Sequence, residues 1–93
     1  MLVEFADQAK VDVDEAFDWY ASKSIDALDG FLRALDHAVG VVSSGPEIWP
    51  QFEAGTQRYV FRRYPFSLIY RAFEDRIVIV AVAPHRKRPG YWK

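Results

Sequence analysis

Chemistry-bearing side chains concentrate at the carboxy-terminal end, where His85-Arg86-Lys87-Arg88 is followed by Pro89-Gly90-Tyr91-Trp92-Lys93. Imidazole titrates near neutrality, so His85 has the type of a general acid or base. At the end of an apolar strand the same residue more commonly caps the strand through a hydrogen bond, and a cleft is what would promote it to chemistry. Arg86, Lys87 and Arg88 can grip phosphate. Beside the aromatic rings of Tyr91 and Trp92 they make a footprint suited to RNA or to a protein target. A second basic group, Arg58, Arg62 and Arg63, lies upstream. On an extended strand Arg62 and Arg63 point to opposite faces, so at most one lines a given site, whereas Arg58 and Arg62 share a face.

Other polar groups read as structure. Asp12, Asp14, Glu15 and Asp18 occupy the polar side of a helical pattern and are expected to form a solvated face. His37 has no ligand partner at metal spacing, the chain has no cysteine, and no metal or cofactor is expected. Tyr64 and Tyr70 are expected to be turn and core aromatics, and Trp19 and Trp49 to serve packing.

These groups need elements to hold them. Leu2 to Ala6 reads as a strand, with Asp7 as the cap of a helix over about 8–22. Ala9, Val13, Ala16, Phe17 and Tyr20 recur at spacings of three and four and form its apolar stripe. Ser24 caps a second helix over about 24–42, striped by Ile25, Leu28, Phe31, Leu32, Leu35, Ala38, Val39 and Val42, with Gly30 and Gly40 inside it. Residues 43–55 carry Gly45, Pro46, Pro50 and Gly55 and read as a long connection whose Ile48, Trp49 and Phe52 tuck against the core. Three strands follow over 57–63, 67–74 and 76–84, turning at Tyr64-Pro65-Phe66 and Glu74-Asp75-Arg76. In the middle strand Leu68, Tyr70 and Ala72 face one way, and Ile69, Arg71 and Phe73 the other. Pro89-Gly90 keeps the tail out of the sheet.

The chain has 93 residues, 51% of them hydrophobic, enough for one core and one domain over 1–93. The amino-terminal stretch has an acid inside it and no basic region before it, unlike a signal peptide, and no apolar run is long enough to span a bilayer. With thiol catalysis excluded by the missing cysteine, a reducing, cytoplasmic setting is expected. Net charge is -1, but residues 1–45 hold three basic and nine acidic side chains (net -6) and residues 46–93 nine basic and four acidic (net +5). Such asymmetry fits either a nucleic-acid or acidic partner or a basic sheet balanced by acidic helices.

The order strand, helical hairpin, three-stranded antiparallel sheet, together with Tyr64-Pro65-Phe66-Ser67-Leu68-Ile69-Tyr70 and His85-Arg86-Lys87-Arg88-Pro89-Gly90-Tyr91-Trp92, resembles the RelE/ParE toxin superfamily over essentially the whole chain. The resemblance implies an α+β fold: an N-terminal strand, a two-helix hairpin and a three-stranded antiparallel meander, one sheet with the helices on one face. It implies the toxin of a type II toxin–antitoxin module, held in a hetero-oligomer by a cognate antitoxin that can pair with exposed sheet edges. Two activities follow from it. A ParE-like chain would inhibit DNA gyrase through a binding surface; Arg62, Arg86, Arg88, Tyr91 and Trp92 are the candidates, and this reading is preferred. A RelE-like chain would cut messenger RNA on the ribosome, using His85, Arg86 and Tyr91 to move protons and hold the phosphorane. RelE-like nucleases tend to begin the strand after the turn with a basic residue, where this sequence has Ser67, while Arg86 matches the basic position after the last strand. A third possibility is a degenerate relative that only binds its antitoxin. The near-neutral charge counts modestly against ribosomal RNA as target.

Overall fold

The computed structural model describes residues 2–93; Met1 lies outside them. Strand β1 (Leu2–Phe5) leads into helices α1 (Asp7–Lys23) and α2 (Ile25–Ser44), and a short 3-10 turn (Glu53–Gly55) precedes β2 (Gln57–Val60), β3 (Phe66–Ala72) and β4 (Arg76–Pro84). The strand order is β1-β4-β3-β2. β2, β3 and β4 form the expected antiparallel meander, and β1 joins it in parallel beside β4, the helical hairpin serving as the crossover.

The helix boundaries follow local chemistry. Ala6, not Asp7, occupies the position before α1 and no side chain caps that end; Asp7 is instead the first helical residue, where a carboxylate still meets the positive end of the helix dipole. Ser24 separates the helices in an extended conformation, and its hydroxyl accepts the Ala27 N–H at 2.9 Å. α2 runs two residues beyond the expected end. Gly30 faces Tyr64, and a β-carbon there would strike the Tyr64 hydroxyl, so glycine lets the turn before β3 close onto the helix.

The main core lies between helices and sheet. Ala9 and Ala16 of α1, Phe31, Ala38 and Val42 of α2, and Leu68, Tyr70, Ile77, Ile79 and Val82 of the sheet are buried together. Small residues on α1 let it approach β4 closely. Ile25, Phe17 and Leu32, expected in the apolar stripes, are exposed at 84, 42 and 37%, because each lies on the flank of its stripe. Alternation in β3 holds, Leu68 and Tyr70 meeting the helices and Ile69 belonging to the opposite face. Between Ile69 and Tyr70 the register with β4 slips by one residue, Ile69 pairing Ala81 and Tyr70 pairing Ile79. This bulge at Val80 lets both Ile79 and Val82 face the helices despite their odd spacing.

Two expectations about exposure fail. Trp19 is 59% exposed, with Lys23 over its ring, and packs no core. In the long connection Trp49 meets Tyr59 edge-on at 4.8 Å and Phe52 packs near Trp92, but Ile48 is 72% exposed. The strand expected over 57–63 stops at Val60, and residues 62–65 form a bend.

Candidate functional site

The tail turns back over the face of the sheet that the helices leave open. Gly90, at φ 88°, supplies the left-handed residue that reverses the chain at little steric cost. Ile69, Ala81 and Ala83 form a small second cluster on that face, covered by Phe52, Val80, Tyr91 and Trp92. Trp92 lies 5.9 Å from the Phe52 ring, and Lys93 approaches Glu53 at 3.4 Å. Lys87 sits 4.8 Å from the centre of the Tyr91 ring and 3.4 Å from Glu15. Such partly exposed ion pairs add at most about 1 kcal/mol each, so the aromatic burial carries the docking.

The polar anchor of the tail is a residue expected elsewhere from the sequence. Asp12, expected on a solvated face, is 3% exposed. Its Oδ2 accepts the Tyr91 hydroxyl at 2.7 Å and the Val82 N–H at 2.9 Å, and its Oδ1 accepts the Gln8 side-chain amide at 2.9 Å. The sheet explains why a carboxylate is needed there. β1 accompanies β4 only as far as Ile79, where the Ala6 N–H donates to the Ile79 carbonyl before the chain turns into α1. Beyond that point the β4 edge has lost its strand partner, and Asp12 replaces it at Val82. The sequence signal was available: Asp12 lies three residues after Ala9 and four before Ala16, on the same stripe.

Burial is the first cause that holds the Tyr91 phenol far above its ordinary range, followed by the hydrogen bond to Asp12 and the negative charges of Asp12 and Glu15, which Arg86 only partly offsets. The phenol therefore stays protonated near neutrality as a fixed donor to Asp12.

His85 is exposed, yet both ends of it are tied. Its backbone N–H donates to the Pro65 carbonyl at 2.9 Å, and its Nε2 lies 3.0 Å from the hydroxyl of Ser67, a residue 3% exposed. This is the strand-capping arrangement. The imidazole opens onto a cleft of about 380 Å³ on the sheet face, together with Arg58, Lys87, Tyr91 and Trp92. Arg86 lines a different cleft, a groove of about 770 Å³ beside α1 with Trp19, Tyr20, Phe66 and Pro84. Arg62 belongs to a third, next to α2, and Arg88 is exposed. His85 and Tyr91 thus line one cleft and Arg86 another, while the Tyr91 hydroxyl is bonded to Asp12. Arg58 and Arg62, expected to share a face, are also separated, because the strand ends before Arg62.

Residues 3–89 match the family described as the ParE toxin of the type II toxin–antitoxin system parDE. The chain belongs to the ParE toxin family. Among solved structures it is similar to a chain of the chromosomal ParDE toxin–antitoxin system from P. aeruginosa, with a TM-score of 0.64 and 21% identity, over 90% of this chain and 95% of that one. That likeness shows a shared fold, including the strand, helical hairpin and meander order. A comparison with curated proteins found no match. ParE membership makes this chain a toxin component of a type II module with an antitoxin as its partner. No helix among the described residues is long and apolar enough to cross a membrane.

Proposed function

We propose that this ParE-family chain acts in the cytoplasm on DNA gyrase through binding, with no active site of its own, and that its antitoxin restrains it by covering exposed edges and apolar surface. The observation that carries the gyrase reading over the ribonuclease one is that two of the would-be catalytic groups are committed to structural hydrogen bonds and the third lines another groove. His85 is bonded to Ser67 and opens onto the sheet face, Arg86 lines the groove beside α1, and the Tyr91 hydroxyl is committed to Asp12. Cleavage by a 2′-hydroxyl needs a base, an acid and a cation around one phosphate. A binding surface needs no such convergence.

In this reading Arg86 and Arg88 supply the contacts to the target, since arginines are favoured at binding hot spots. Tyr91 and Trp92 contribute by fixing the tail on the sheet, so that the arginines are held in one place. β1 and β2 are the sheet edges, each four residues long, and an extended partner segment can pair with either. Leu2, Trp19 and Ile25 are exposed at 62, 59 and 84% and offer apolar surface to the same partner.

The test is to map messenger RNA 5′ ends minutes after the chain is induced without its antitoxin. Arrested growth with intact messages is expected. New ends at fixed positions within codons would overturn the binding reading in favour of a ribonuclease.

A further inference from the structure

A cleft of about 460 Å³ lies between α2 and the bend that follows β2, lined on the helix by Gly30, Arg33 and His37 and on the bend by Arg62, Arg63 and Tyr64. Gly30, Arg33 and His37 follow one another at spacings of three and four, which places them on one face of α2. On a continuing strand Arg62 and Arg63 would diverge; because β2 ends at Val60 and residues 62–65 bend, both arginines line the same cleft. The bend is held by its neighbours: the Phe61 N–H donates to the Phe66 carbonyl at 3.0 Å, and Tyr64 packs edge-on against Tyr20 and Phe31.

The charge in this cleft is not neutralised. Arg62 and Arg63 are exposed and form no ion pair among the described residues, while Arg33 meets only Asp29, one turn away on the same helix, at 2.9 Å with both side chains largely exposed. With Asp29 counted against Arg33, two permanent positive charges remain. A pair of guanidinium forks beside a third that a weak exposed ion pair can release is suited to phosphate oxygens, which arginine meets with two parallel hydrogen bonds.

We propose that the Arg33–Arg62–Arg63 cleft is a phosphate-binding site that takes the backbone of a nucleic acid, DNA in the setting of a gyrase poison. The site lies apart from the tail cleft and the groove holding Arg86; the choice of DNA rests on the gyrase reading, and the phosphate site does not. The cleft is open and shallow, which fits a backbone passing across it and gives binding without sequence preference.

The experiment is fluorescence anisotropy of a labelled DNA duplex with the purified full chain and its Arg62→Gln/Arg63→Gln double variant, over a range of salt concentrations. Three phosphate contacts predict a log-log salt slope of about -2.7, a fall of about 40-fold in affinity between roughly 50 and 200 mM salt. The double variant should lose at least about tenfold in affinity at low salt and shed about 1.8 from the slope. Both substitutions are at exposed positions, and an unchanged melting temperature checks the fold. Equal binding and equal slope in wild type and variant would overturn the site, as would absence of DNA binding by the wild-type chain at low salt. Displacement of the duplex by millimolar inorganic phosphate at constant ionic strength would overturn the backbone assignment in favour of a small-anion site. Supercoiling assays on the same samples separate the two readings: gyrase inhibition without binding to DNA alone removes this site and leaves the proposed function, and DNA binding without gyrase inhibition does the reverse.

Discussion

The hydroxyl of Tyr91, near the end of the tail, donates a 2.7 Å hydrogen bond to the carboxylate of Asp12, 79 residues earlier in the first helix. The same carboxylate oxygen accepts the Val82 N–H at 2.9 Å. One buried side chain thus completes the sheet edge that β1 abandons and fastens the tail to the body.

Removing either partner should be costly and the costs should not add. Asp12→Ala leaves the Val82 N–H and the Tyr91 hydroxyl without an acceptor and is expected to destabilise by about 3 kcal/mol or more, while Tyr91→Phe should cost about 1.5–3 kcal/mol. The double variant should fall short of the sum, since the shared bond is lost only once. Urea denaturation of the four proteins measures this; full additivity would mean that the bond contributes nothing. If Asp12→Ala fails to fold, Asp12→Asn serves in the same cycle.

Alkaline pH should weaken the fold through its buried phenols. Burial first, and the charge of Glu47 second, push Tyr70 up to about 12, and Tyr91 is raised further. Above pH 10 the unfolded chain releases these protons while the native one keeps them, so stability falls as pH rises. The benefit is fully present below the ordinary tyrosine pKa of 10 and is lost through and beyond pH 12. Tyr91→Phe should be less stable than wild type at pH 8 yet decline less steeply above pH 10. Parallel stability curves for the two proteins would refute the coupling.

Two glycines of α2 should respond to alanine with opposite signs. Gly40 has no atom within 4 Å of where a β-carbon would stand, so Gly40→Ala should stabilise by about 0.5–1 kcal/mol. At Gly30 the added carbon strikes the Tyr64 hydroxyl, and the Tyr64 ring is confined by Tyr20 and Phe31. Gly30→Ala should therefore destabilise by about 1–3 kcal/mol, the range for overpacked cores, less the helix-propensity gain. Melting temperatures of the two variants decide the matter.

Within the tail, the arginines and the histidine should separate in a growth assay. Arg86→Ala combined with Arg88→Ala is expected to relieve growth arrest at least tenfold in inducer titration. His85→Gln can still reach Ser67 and should arrest growth as wild type does. Loss of arrest in His85→Gln with a normal melting temperature would argue for chemistry at the imidazole.

The helices, the meander and the strand-to-tail transition were legible because each rests on local periodicity: Phe31, Ala38 and Val42 at helical spacing, Leu68 and Tyr70 alternating with Ile69. The parallel placement of β1 beside β4 was not, since pairing across so long a separation leaves no mark in either strand. Asp12 was read by residue type, which favours solvent, although its position between Ala9 and Ala16 favoured the interior. Arg62 and Arg63 were misplaced for a related reason. An early strand end at Val60 turns divergent neighbours into convergent ones, and the long β-prone run Tyr59-Val60-Phe61 concealed it.

The central claim is that the chain blocks gyrase by binding it, and a supercoiling assay with purified gyrase, relaxed plasmid and the purified chain, with and without its antitoxin, tests that most directly. The account predicts loss of supercoiling with accumulation of broken plasmid, reversed by the antitoxin and abolished by the Arg86→Ala/Arg88→Ala variant. Unimpaired supercoiling by gyrase at a saturating excess of folded chain would contradict it.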